Sequence, residues 1–160
     1  MPRDKSIGTS NQKGAFMKKR TLGVDFGDSR TGLALSDLSG FLASGAGTIK
    51  SKSFKETGDS VCEIAKKNDV GLIVLGHPIN MNGTLGPRSE KIQAFKKYLE
   101  ENSGIEVLLY DERLSTANAH VMLNMTGTRG EKRKSIIDEM SACLILQSYL
   151  DSPNSIYKQK

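Results

Sequence analysis

The sequence predicts an α/β domain built on a mixed five-stranded sheet with helices on both faces, and three observations carry that prediction. Residues 21–49 hold three short segments joined by tight turns, the pattern of an antiparallel meander. Beyond residue 50, helical segments alternate with short unbroken apolar runs such as GLIVL at 71–75, as parallel strands buried on both faces require. A chain of 160 residues suits one domain with one core.

The first strand is read from Leu22, Val24 and Phe26 alternating with Thr21, Gly23 and Asp25. Gly27-Asp28-Ser29-Arg30 is turn chemistry. Thr31–Ser36 and Phe41–Ile49 are two further strands, with Asp37-Leu38-Ser39-Gly40 between them. Ser53–Asn68 is helical, with Val61, Ile64 and Ala65 on one face. The buried strand Gly71–Leu75 leads into a loop, His77–Gly86. A helix over Pro87–Glu101 has proline at its start and Ile92, Phe95 and Leu99 on one face. Val107–Tyr110 is a fifth strand, followed by Asp111-Glu112-Arg113. Ser115 or Thr116 caps a helix running to about Met125, and Thr126–Lys134 reads as a basic loop. Ser135–Leu150 is the last helix, closed by Asp151-Ser152-Pro153. The implied boundaries are a basic flexible tail over residues 1–20, the domain over 21–152, and a C-terminal tail over 153–160.

Composition narrows the class. At 37% hydrophobic and 26% charged the chain is globular rather than disordered. No apolar run approaches the roughly 20 residues of a membrane helix, and no apolar stretch follows the N-terminal charges as in a signal peptide. Cys62 and Cys143 lack CxxC or histidine partners and read as reduced thiols of a cytoplasmic protein. The net charge of +5 invites a nucleic-acid partner. However, residues 1–20 hold six basic residues and one acid, which accounts for all of it. The domain is neutral, so any nucleic-acid footprint must be a local patch.

Asp25 interrupts an apolar strand, where a carboxylate is costly to bury without a partner, and a metal ion is one such partner. Asp28 and Ser29 already supply the turn, so a turn-forming role for Asp25 is superfluous. Asp111 and Glu112 stand at the carboxyl end of a buried strand, where ligand sites of α/β sheets form. Adjacent strand residues face opposite ways, so one of the two joins Asp25, and spacing alone leaves the choice open. Asp138 lies early in the last helix beside the small residues Ser141 and Ala142, which lets the helix press on the sheet. Locally it reads equally well as a favourable acid in a first turn. Three converging carboxylates suit hard divalent cations, Mg2+ or Mn2+, in phosphodiester hydrolysis. No His/Cys cluster favours zinc. His120 reads as structural, and His77, at a strand end, is a candidate substrate contact.

Candidate nucleic-acid contacts follow from charge and position. Asn82 lies in a turn-rich loop that runs into a helix N-terminus at Arg88, a setting suited to phosphate. Arg30 and Arg113 flank the proposed acids. Arg129, Lys132, Arg133 and Lys134 form the one dense basic cluster of the neutral domain, a few residues before Asp138.

The segments LGVDFGDSRTGLALSD, GLIVLGHPINMNGTLGPRSEKIQAF, YDERLSTANAHVML and KRKSIIDEMSACLILQSYLD together resemble the YqgF/RuvX family of Holliday-junction-resolvase-like proteins over about residues 20–152. The resemblance implies a ribonuclease-H-like fold and a metal-dependent nuclease maturing pre-16S ribosomal RNA, with carboxylate-bound magnesium or manganese. It implies that the first-strand acid is Asp25, that Glu112 is the acid of the Asp-Glu-Arg motif, and that Asp138 is the last-helix acid. Resolvases of the RuvC type carry a further acid at the end of the fourth strand. Here that place is Gly76-His77-Pro78, which argues against junction resolution. The competing readings are a DNA junction resolvase, a catalytically quiet nucleic-acid-binding factor of ribosome assembly, and, last, an actin-like ATP-binding domain. RNA is the favoured partner, with structured DNA second; monomer and homodimer both stay open.

Overall fold

The computed structural model describes residues 19–78, 86–111 and 130–158, with side chains from residue 134 onward in the last segment. Most of the predicted N-terminal tail, most of the loop before residue 86 and the predicted helix to Met125 lie outside the described residues. Five strands, β1 (Arg20–Asp25), β2 (Arg30–Ser36), β3 (Ala43–Lys50), β4 (Val70–His77) and β5 (Glu106–Asp111), form one sheet in the order β3-β2-β1-β4-β5. The β1–β2 and β2–β3 pairs are antiparallel, and the β1–β4 and β4–β5 pairs are parallel. This is the mixed sheet that the two halves of the sequence predict.

Among the described residues three α-helices accompany it: α1 (Phe54–Lys67), α2 (Pro87–Ser103) and α3 (Gly130–Asp151). Ser53 caps α1 by accepting the Glu56 amide at 3.1 Å. Pro87 opens α2, and Gly104 closes it in the left-handed region at φ 72°. One face of the sheet, through Leu22, Val24, Phe26, Ile73 and Leu75, packs with Val61, Ala65, Ile92, Phe95 and Leu99 of α1 and α2. The other, through Ala34, Leu72 and Val74, packs with Ala142, Ile145, Leu146, Tyr149 and Leu150 of α3. Strand alternation therefore sends even-numbered residues of β1 to α1 and α2, and odd-numbered ones to α3.

Several boundaries differ from the sequence prediction: β4 runs on through His77, which the sequence placed in the following loop, and three further differences matter for packing. β3 begins at Ala43, because Asp37 accepts the amides of Phe41 and Leu42 at 2.8 and 2.9 Å and holds both in the turn. α3 begins at Gly130, so part of the predicted basic loop is helix; Glu131–Lys134 are good helix formers that carry no apolar stripe to reveal them. Finally, the chain past residue 152 is packed rather than loose. Ser155 is fully buried, and the Tyr157 hydroxyl donates to the Lys19 carbonyl at 2.8 Å and lies 2.8 Å from Thr21 Oγ1. Among the described residues no helix is long and apolar enough to cross a membrane.

Candidate active site

Asp25 ends β1 with its side chain half-buried, opposite Gly32 of β2 in register. Its neighbour Phe26 faces the other way and stacks on Phe95 at 4.0 Å between ring centroids. That aromatic anchor leaves alternation to carry Asp25 to the α3 face. The chain after it is fixed by α2. Arg88 Nη2 donates to the Phe26 carbonyl at 2.6 Å, and Lys91 Nζ meets Asp28 at 2.6 Å. The Lys91 ammonium holds the Asp28 carboxyl below its usual range. Gly27 is obligatory in this turn, since a Cβ there would stand 2.3 Å from the Arg30 carbonyl oxygen.

α3 reaches this end of the sheet by riding on glycines. A Cβ on Gly23 would meet Leu146 Cβ at 2.8 Å and the Ala142 carbonyl oxygen at 3.0 Å. A Cβ on Gly32 would meet the Asp138 carbonyl oxygen at 1.9 Å. The backbone at Asp138 thus lies directly on Gly32, the residue paired with Asp25. Hydrogen bonds from one face of α3 to β3 lock this seat. Ser135 presents its carbonyl to Thr48 Oγ1 at 3.1 Å, Glu139 accepts the Gly47 amide at 2.7 Å, and Gln147 accepts the Ala43 amide at 2.9 Å.

Asp138 is the ninth residue of α3, so a first-turn dipole does not explain it. Its Oδ2 accepts from Arg30 Nε at 2.9 Å, and Arg30 Nη2 donates to Ser135 Oγ at 2.9 Å. Both partners of the ion pair are about one-fifth exposed, at 20% and 21%. The sequence offers Arg30 to nucleic acid; the structure turns its guanidinium inward, because Arg30 and Gly32 share the face that α3 covers.

Asp111 pairs with His77, and the register places both on the α1–α2 face, away from Asp25. His77 is joined there to Ser89 of α2. Glu112, Arg113, Asn82, Arg129 and His120 lie outside the described residues. Lys132 and Arg133 lie on the α3 backbone, and Lys134 is exposed one turn before Asp138. Among the described residues no three His, Cys, Asp or Glu side chains form a group that could hold a metal. Sequence reasoning missed Ser135, Lys91 and the seat at Gly32. A glycine inside a strand signals close backbone approach, and that signal was available for Gly32.

The comparisons with known proteins agree with this architecture. The model of the RuvX family, described as Holliday junction resolvase, matches residues 19–152. A relative from Ruminiclostridium cellulolyticum named "Putative pre-16S rRNA nuclease" is 47% identical over 133 residues, covering 82% of this chain and 94% of its own length. One of the same name from Bacillus subtilis is 47% identical over 137 residues, covering 84% and 99%. Among solved structures, Thermus thermophilus RuvC in complex with a Holliday junction substrate aligns with a TM-score of 0.54 at 12% identity, over 86% of this chain and 97% of that one. The fowlpox virus resolvase bound to Holliday junction DNA aligns at 0.50 and 15%, over 83% and 99%. At such identities the structures speak for the fold alone, which is the ribonuclease-H-like one. With the family model spanning the whole domain and relatives at 47% identity along it, the chain belongs to the RuvX family.

Proposed function

We propose that this chain is a divalent-metal-dependent nuclease that hydrolyses phosphodiester bonds in the precursor of 16S ribosomal RNA, with Asp25, Glu112 and Asp138 as its metal-binding carboxylates. The family and the names of the relatives support the nuclease class. The observation that carries the site is the seat of α3: Asp138 rests on Gly32, the partner of Asp25, although the two acids are far apart in sequence. Both are oxygen donors, both are half-buried on one face, and Asp138 is already paired with a cation, so the described half of the site fits a hard metal ion. Asp111 faces away from Asp25, which supports Glu112 rather than Asp111 as the third acid.

A bound magnesium or manganese ion would polarise an attacking water and neutralise charge developing on the phosphate. The protein's own residues do the rest. Phe26 and Arg88 fix the end of β1, Arg30 and Ser135 fix Asp138, and Lys134 with Lys132, Arg133 and Arg129 holds the backbone of the strand to be cut. The decisive experiment is a manganese-dependent cleavage assay on matched RNA and DNA substrates, including a four-way junction. Cleavage of RNA that is lost in Asp25→Asn, with the variant still folded, is the expected result; wild-type rates in that variant would remove Asp25 from the site. Because the family is described as Holliday junction resolvase, junction cleavage is the second reading, and preferential cutting of the four-way junction would establish it instead.

A further inference from the structure

We propose that Arg30 is a positioning residue that acts as the resident counter-cation of Asp138, and that it holds the free protein's affinity for divalent cations down. The inference rests on the reading of Asp138 as a metal ligand. Three facts lead to it. Arg30 opens β2 on the face that α3 covers, so its side chain has little room other than between strand and helix. Among the described residues its guanidinium donates from Nε to Asp138 Oδ2 and from Nη2 to Ser135 Oγ, each at 2.9 Å. Ser135 is three residues before Asp138, and its own carbonyl is bonded to Thr48 of β3, so this second anchor is itself fixed. An arginine held at two of its three guanidinium nitrogens cannot swing away as a lone surface lysine would.

The consequences are opposite in sign for folding and for metal binding. Without a metal, a half-buried acid pressed against a sheet is unfavourable, and the guanidinium removes that penalty, letting α3 close on Gly32. When a divalent cation arrives, the guanidinium occupies one oxygen of Asp138 and adds a like charge within a few ångströms. Oδ1 is left for the cation. Occupancy by the metal is thereby weakened in the free protein, and a phosphodiester, which is an anion, offsets the guanidinium when it binds. Arg30 thus couples cation binding to the presence of the substrate's charge.

The test is calorimetric titration of Mn2+ into the full chain without nucleic acid, paired with thermal melting. Arg30→Gln should melt below wild type without metal, yet bind Mn2+ about tenfold more tightly, since a neighbouring like charge at this range is worth at least that factor. Ser135→Ala removes only the second anchor of the guanidinium and should shift affinity in the same direction by less. It also serves if Arg30→Gln does not fold. A purely structural Arg30 predicts the reverse, weaker Mn2+ binding in step with lost stability. Equal or weaker binding in the folded variants overturns the proposal. Asp138→Asn separates the two layers: if wild type binds Mn2+ and Asp138→Asn binds it equally well, the metal reading of Asp138 has failed, whatever Arg30 does.

Discussion

Gly32→Ala should cripple the site without touching any acid. The added Cβ would stand 1.9 Å from the Asp138 carbonyl oxygen and 2.3 Å from its carbonyl carbon, both backbone atoms that no rotamer change can move. Ordinary contact begins at 3.4 Å, so α3 must retreat by about 1.5 Å at this point. Overpacking of that kind costs about 1–3 kcal/mol. For a chain this long that is a fall in melting temperature of roughly 2–12 °C. The larger effect is on chemistry. Displacing a reacting group by about 1 Å lowers rates by roughly 100-fold, and the whole displacement here lies between Asp138 and Asp25. Melting curves and manganese-dependent cleavage rates measure the two losses separately. Gly71→Ala is the control, since the atoms nearest its Cβ belong to the Lys19 side chain, at the opposite end of the sheet, and it should cleave at the wild-type rate. A Gly32→Ala protein with wild-type melting and cleavage would refute the account of how α3 delivers Asp138.

The remaining predictions concern the third acid, the basic cluster and the β2–β3 turn. Glu112→Gln should be far more damaging to cleavage than Asp111→Asn, because Asp111 lies on the α1–α2 face; the opposite ranking in the same assay would transfer the role to Asp111. Lys132→Ala with Arg133→Ala should weaken binding of single-stranded RNA at low salt and flatten its log–log salt dependence by about 1.4, at about 0.7 for each phosphate no longer neutralised; an unchanged slope makes the cluster a solvated face. Asp37 is held down at about 2, against an ordinary 3.8, first by the Leu42 amide and then by the Ser39 hydroxyl. Its folded value is depressed, so its stabilisation is present above 3.8 and is lost as pH falls through about 2. Asp37→Asn should therefore melt lower than wild type near neutral pH, and the two curves should converge in that acid window. A gap that persists below it would mean that shape rather than charge holds the turn.

Much of this protein is legible along the chain, and the reason is local. Alternation in 21–26 and the unbroken run at 71–75 identify strands because side-chain direction depends only on neighbouring residues. Ser53 and Pro87 mark helix starts because capping is settled within one turn. Asp25 stands out because a charged residue contradicts its own strand. The charged first turns of α3 escape the same reading, having helix formers but no apolar stripe. So does the packed end of the chain, where Tyr157 finds Thr21 and Lys19 far away in sequence.

What the chain determines by itself is the order of elements and the list of acids that need partners. Which acid meets which is a matter of sheet order and register, and these are non-local. Only the pairing of β2 with β1 puts Gly32 beside Asp25, and only the absence of a side chain there lets the backbone at Asp138 come down onto it. The same approach encloses Arg30 and converts an apparent surface arginine into the partner of Asp138, 108 residues away. A carboxylate on a helix and an arginine on a strand carry no mark of each other in sequence. Their meeting is decided by how closely two packed elements approach, and steric contact of that kind exists only once the sheet has formed.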